Sequence, residues 1–427
     1  MVRHRFAFFV AAALLCGSLP AIYAAQIDEF QIVLFADEIA ESEIVVFCRL
    51  VARSPTSPND GVCTFEVFEF VKGARRLAVG PNENQFQTLY FGDRPLGSDF
   101  YVCGVVDKSA AAGGAATYDW STPMPVDARE MDYIRRTSRL PSIGPRRLVA
   151  LYGYLNDPSD LIRDDVYQEV KRSTYADLRA TRAWMPHDAL LRWIADPTTK
   201  TTSRRQYLLM LSVCGTRADL PTLRAWIARE DRRMRQSLDA LVVCELALAG
   251  ESALPAIEAA FLANEKVEYT DTYGAIIAIR FAADQAGAIS KPRAVRAFSL
   301  MLDRPQLADL VIPDLRRYRD WSFAPRLMQL CRTSDVVEEK KYVQVATASY
   351  LLACPTREGK AFLAELTALA PEAVARARKF YTPAQPANAV DGCGKCACRC
   401  GPRTTCRLGL GIGSSWRCRF SRFIARR

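Results

Sequence analysis

Between residues 30 and 110 the apolar positions fall in short β-branched and aromatic runs broken by turn residues. Ile44-Val45-Val46-Phe47-Cys48-Arg49-Leu50-Val51 leads into a polar loop from Ser54 to Gly61. Cys63 to Val71 mixes alternation with β-formers, and Lys72-Gly73 closes it. Phe86 to Phe91 and Phe100 to Val106 add two more runs, separated by Gly92 to Gly97. Several short strands with turn signals between them predict a small antiparallel barrel or sandwich. Residues 27–110 are therefore expected to form a small β-barrel domain.

Residues 111–145 read as a connector. Ser109 to Ala116 is rich in Ala and Gly, and Trp120 to Val126 contains two prolines that push their neighbours out of the α region. A short helix is expected over Asp127 to Ser138. From 146 to 382 the period becomes helical. Asp160 to Val170 carries its apolar residues on one face. Gly215 and Gly250 stand where helices should end, and Leu220-Pro221 and Leu254-Pro255 where the next should start. Pro221 to Pro255 is one such step. Ile312-Pro313 and Ala324-Pro325 mark further helix starts, and Val343 to Cys354 with Arg357 to Leu369 makes another pair.

Two resemblances follow from these residues. Ile162-Arg163-Asp164-Asp165 after Asp157-Pro158, with the repeated Gly then Leu-Pro joints, resembles the HEAT family of helical repeats. That resemblance implies roughly five or six stacked helix pairs, an α-α superhelix. In the strand region, Ala36-Asp37, Ile44-Val45-Val46, Phe65, Val67, Lys72-Gly73, Gly97 and Tyr101 follow an order similar to the OB-like barrel of netrin and tissue-inhibitor-of-metalloproteinases modules. Those inhibitors begin on a cysteine that binds the target's zinc. Here a chain starting near Gln26 has no cysteine until Cys48, so the inhibitory mechanism is not carried over. The expected fold class is thus multidomain β + α, an OB-like barrel followed by a HEAT-like solenoid.

The first 25 residues read as a signal peptide. Arg3, His4 and Arg5 precede an apolar Phe6 to Cys16, and Ala21 to Ala25 offers small residues for cleavage. The apolar run falls short of the ~20 residues a membrane span needs. No later stretch is expected to reach that length. The leader directs the chain to an extracytoplasmic place, periplasmic or secreted.

The formal charge of +10 is unevenly placed. The leader holds Arg3 and Arg5; residues 391–427 hold nine Lys and Arg against Asp391 alone. Removing these from 57 bases and 47 acids leaves 46 of each in the body. A neutral body supplies no overall drive toward nucleic acid.

Catalytic chemistry is thinly provided. Of two histidines, His4 lies in the leader and His187 stands alone at a helix start. A Ser-His-Asp or Cys-His mechanism would have to use it, and a surface or capping role is the simpler reading. Asp164-Asp165 and Glu338-Glu339 are adjacent acids, so on a helix they point about 100° apart and do not converge. Arg316-Arg317-Tyr318-Arg319-Asp320-Trp321 mixes cations with aromatics, and reads best as a helix end at a repeat joint. No catalytic, cofactor or metal residue is assigned. In the oxidising compartment implied by the leader, Cys48 and Cys63 are the favoured disulfide pair. The tail from 383 to 427 reads as a disordered Cys- and Arg-rich segment. Its Cys393, Cys396, Cys398 and Cys400 are the candidate ligands for a soft metal. The function expected is a non-catalytic scaffold that binds protein partners. Two alternatives stand beside it: an enzyme or enzyme inhibitor with a site between barrel and helices, and metal binding by the tail.

Overall fold

A computed structural model describes residues 34–53, 61–73, 84–107, 118–229, 231–333 and 337–380. Residues 1–25, expected to be a leader, and the tail with Cys393, Cys396, Cys398 and Cys400 lie outside the described residues.

The chain enters on helix α1 (Phe35–Glu41) and then builds an antiparallel sheet. Its strands are β1 (Ile44–Arg53), β2 (Val62–Lys72), β3 (Gln85–Leu89), β4 (Asp99–Val106), β5 (Tyr118–Trp120) and β6 (Met124–Pro125). The order is β3-β2-β1-β4-β5, with β6 also on β4. The sheet curls into a nearly closed barrel. Its two edges meet through side chains: Phe86 of β3 stacks on Trp120 of β5 with ring centroids 4.0 Å apart. Gly104, opposite Trp120 in the β4–β5 register, makes that approach possible. A Cβ there would sit 3.0 Å from the indole and 2.7 Å from Ile44.

β1 is apolar at nearly every position because both its faces are buried. Ile44, Val46, Cys48 and Leu50 point into the barrel with Phe65, Phe86 and Phe100. Val45 and Phe47 point outward into a second core. That core also takes Tyr101 and Cys103 of β4, and runs on through the helices to Leu211, Leu241 and Cys244. Barrel and first helices therefore share one core.

The expected connector takes part in this structure. β5 and β6 lie inside it and complete the sheet past residue 110. Its helix α2 (Ala128–Thr137) starts on a capping box, in which the Asp127 carboxylate accepts from the Glu130 N–H at 2.8 Å. Met131, Tyr133 and Ile134 of α2 enter the shared core.

The helical region continues with α3 (Pro145–Leu151), α4 (Asp160–Arg172), α5 (Tyr175–Ala180), α6 (His187–Ala195), α7 (Thr201–Cys214) and α8 (Leu220–Ile227). Then follow α9 (Leu238–Ala249), α10 (Tyr269–Asp284), α11 (Lys291–Ser299), α12 (Ile312–Arg317), α13 (Ala324–Thr333), α14 (Val337–Ala353), α15 (Arg357–Leu369) and α16 (Pro371–Phe380), with short helical turns between. The Gly and Pro joints behave as local chemistry dictates. Gly215 donates back to the Leu211 carbonyl at 2.7 Å, and Gly250 ends α9 with φ +65°. Pro221 lies in the first turn of α8.

One expectation fails on length. The helical run Leu238–Leu262 has 25 residues, and its most apolar 18-residue stretch has a mean hydropathy of 1.7. By length and composition it reaches a membrane span. Its apolarity has a packing cause, since α9 is wedged between α7 and α10 and buries residues on every side.

Six polar cross-links join helical segments about one pair apart at nearly constant separation, beside shorter ones such as Arg224–Glu245 at 21 residues. Arg205 pairs with Asp239 and Arg235 with Asp271, 34 and 36 residues apart. Arg280 grips Asp314 at 34 residues, with Nη2 2.7 Å from Oδ2. Arg293 and Glu258 are 35 apart, and Arg316 reaches Ser349 at 33. Arg332 and Glu365 repeat the same step at 33.

Candidate functional site

Two polar constellations are built where helices end. The first joins the barrel side to the helices. Asp165 on α4 is buried, while its neighbour Asp164 is exposed. Its carboxylate accepts from the Phe35 N–H at 3.1 Å and from the Tyr133 hydroxyl at 2.5 Å. Burial pushes the Asp165 pKa up to about 6, against the opposing pull of those two hydrogen bonds. One turn on, Glu169 is held by the buried Arg147, whose Nε lies 2.8 Å from Oε1. Arg172 holds the other Glu169 oxygen and reaches Asp37 of α1 at 2.7 Å. These groups clasp α1 and α2 onto α4. Both Asp165 oxygens are taken, so they hold structure together and do not face a substrate.

The second constellation surrounds His187, the first residue of α6. Its Nδ1 lies 2.9 Å from Asp188 Oδ1 and its Nε2 3.1 Å from Asp219 Oδ2. The carboxylates of Asp188 and then Asp219 raise the imidazole pKa. Asp219 also accepts from the Thr216 N–H at 2.7 Å. His187 thus pins the start of α6 to the turn after α7. With both ring nitrogens facing carboxylates, neither is directed at a nucleophile, and the half-buried ring makes no capping hydrogen bond to the start of α6.

Beside that turn lies an open groove of about 460 Å³. Its walls come from the last turns of α7 and α9, the turn after α10, and the segment from α5 to Arg182. Tyr175, Arg179, Arg182, Ser212, Thr216 and Arg217 supply its polar side chains, and no lining residue is acidic. Arg179, Arg182 and Arg217 are all exposed. Among the described residues none of the three forms an ion pair. Trp184, on the same 3₁₀ turn as Arg182, is 60% exposed. A second hollow of about 340 Å³ lies by the opposite end of α7 and is lined by Arg229, Arg232 and Arg233, but it contains Asp231. The buried Arg204 at its base is already bonded to the carbonyls of Ile194 and Asp196, both at 3.0 Å.

The thiols are placed for packing. Cys48 and Cys63 are both free. Cys48 faces Val67 and Cys63 faces Arg53 in the β1–β2 register. They are thus offset by about five residues along the pair, about 16 Å, far beyond the reach of a disulfide. The expected bond is therefore not formed. Cys103 contacts the Tyr101 hydroxyl at 2.9 Å, and burial pushes its thiol up to about 12. Burial pushes Cys214 up to about 11. Neither is a thiolate at neutral pH.

Arg316 and Arg317 are engaged between helices, with Ser349 and with Asp284 and Asp314 respectively. The cation-aromatic run around them is a helix end, as expected. The groove arginines had no motif to announce them. Their shared surface arises from residues as far apart in sequence as Arg179 and Ala288. No family model matches the chain, and no curated protein matches it.

Proposed function

We propose that the protein is an extracytoplasmic, non-catalytic scaffold that binds protein partners through the surface of a HEAT-like helical array. The observation that carries this reading is the recurring set of inter-helix cross-links 33 to 36 residues apart. A constant step between equivalent contacts is what stacked helix pairs produce, and such stacks present long continuous surfaces suited to polypeptides. The barrel is the second binding module. Its strand order, with the β3 and β5 edges in side-chain contact, supports the OB-like reading. The extracytoplasmic place rests on the leader pattern of residues 1–25.

The competing reading, an enzyme or inhibitor site between barrel and helices, is disfavoured by the clasp around Asp165, whose oxygens are both occupied. The test is affinity capture with the tagged full chain from its own envelope fraction. A reproducible protein partner is expected. No partner, together with hydrolytic turnover of a polymer substrate, overturns the scaffold reading.

A further inference from the structure

Along the helical region, arginines on the cross-links meet a carboxylate or hydroxyl about one helix pair away. Arg179, Arg182 and Arg217 form no ion pair among the described residues and converge on one groove with no acidic lining residue. The last turns of α7 and α9 and the turn after α10 also face it. Each helix C-terminus carries about half a negative charge, and Asp219 lies behind the lining on the Thr216 N–H, so together they offset part of the three full positive charges at the surface. Each guanidinium has five N–H donors in a fixed fork matched to carboxylates.

The groove's form narrows the ligand. It is open and polar, unlike the enclosed apolar pockets that hold small molecules. It crosses the ends of three neighbouring helices. At about 8–10 Å between axes that is a trough of roughly 16–20 Å. An extended chain of about five or six residues covers that length at ~3.3 Å per residue, whereas a single phosphate occupies one corner of it. Tyr175 in the wall and Trp184 on the turn of Arg182 add the residue types that dominate protein interfaces.

We propose that this groove, lined by Tyr175, Arg179, Arg182 and Arg217, docks an extended acidic segment of a partner protein. The proposal rests on the scaffold reading and gives that reading a place and a ligand chemistry.

The probe is a peptide of about six glutamates bearing a terminal photo-crosslinker, used on the full chain with inorganic phosphate as competitor. Two triple variants are compared with the wild type: R179Q/R182Q/R217Q in the groove, and R229Q/R232Q/R233Q at the other hollow. Each removes three exposed charges, so the basic tail contributes the same background to all. Crosslinks are expected on residues 175–184 and 212–217. They should fall at least about tenfold in the groove variant and stay within about twofold in the other, the loss expected when specific carboxylate contacts are removed. Equal losses in the two variants, or crosslinks confined to 391–427, overturn the proposal. Phosphate binding in the groove without peptide crosslinks also overturns it, in favour of a small-anion site. An envelope partner captured equally by wild type and groove variant sinks the groove and leaves the scaffold standing. Absence of any partner sinks the scaffold, while the crosslink pattern still reads the groove by itself.

Discussion

Two regions of the helical half use arginine in opposite ways. At the clasp with the barrel, Arg147 is almost wholly buried and bonded to Glu169, Thr137 and Pro141. At the groove, Arg179, Arg182 and Arg217 are exposed and line a surface without acids. The chemistry of the residue is the same; its surroundings decide what it does. A buried guanidinium must be paired, because an isolated buried charge costs several kcal/mol. An exposed one is solvated, adds little to stability, and is left available for an outside carboxylate.

The contrast is most easily broken at the clasp. Arg147→Ala leaves Glu169 buried with Arg172 as its remaining cationic partner. A loss of about 3–5 kcal/mol is expected in denaturant unfolding, towards the lower end because Arg172 remains. A loss below about 1 kcal/mol would put Arg147 in the same class as the groove arginines and erase the distinction.

Asp165 sharpens it through pH. Its folded pKa, about 6, lies above the ordinary carboxyl value of 3.8. The folded state therefore binds the proton more tightly than the unfolded chain. The resulting stability is full below about pH 4 and is lost as pH rises through 6. Relative to Asp165→Asn, the wild type should lose up to about 3 kcal/mol across that window. A constant difference between the two proteins from pH 4 to 7 contradicts the raised pKa.

A cross-link arginine should fall between the extremes. Arg280→Ala strips the main partner from Asp314, although Arg317 remains at 3.1 Å. A cost of about 2 kcal/mol is expected, readable as a lower urea midpoint with unchanged slope. The groove triple R179Q/R182Q/R217Q comes last. Its effect on stability should stay within about 0.5 kcal/mol, so any binding defect is separable from folding. A large drop in Tm for that triple would show that these arginines hold the helices together.

Local chemistry was legible in the sequence. Strands β1 to β4 were announced by their β-branched runs, and the helix joints by Gly215, Pro221, Gly250 and Pro255, because these signals act within a few residues of where they stand. The short helix expected over Asp127 to Ser138 forms as α2, and the capping box of Asp127 and Glu130 that starts it is complete within one turn. β5 was hidden because three residues carry too little pattern, and Tyr118-Asp119-Trp120 becomes a strand only by pairing with β4. The long apolar run Leu238–Leu262 was likewise obscured, its segments broken by Gly250 and Pro255.

What the sequence by itself determined is therefore the order of the parts: a β region, then helices punctuated at regular joints. Only the tertiary structure decided how those parts meet. It kept Cys48 and Cys63 apart, because strand register sets which side chains face each other and no local rule encodes it. It also made one compact core from barrel and first helices, because the outward face of β1 needed cover. And it sorted the arginines into partnered and unpartnered groups, since several of the carboxylates that neutralise them lie 33 to 36 residues away along the helical region. That distance is invisible to periodicity and is spanned only when the helices pack against one another.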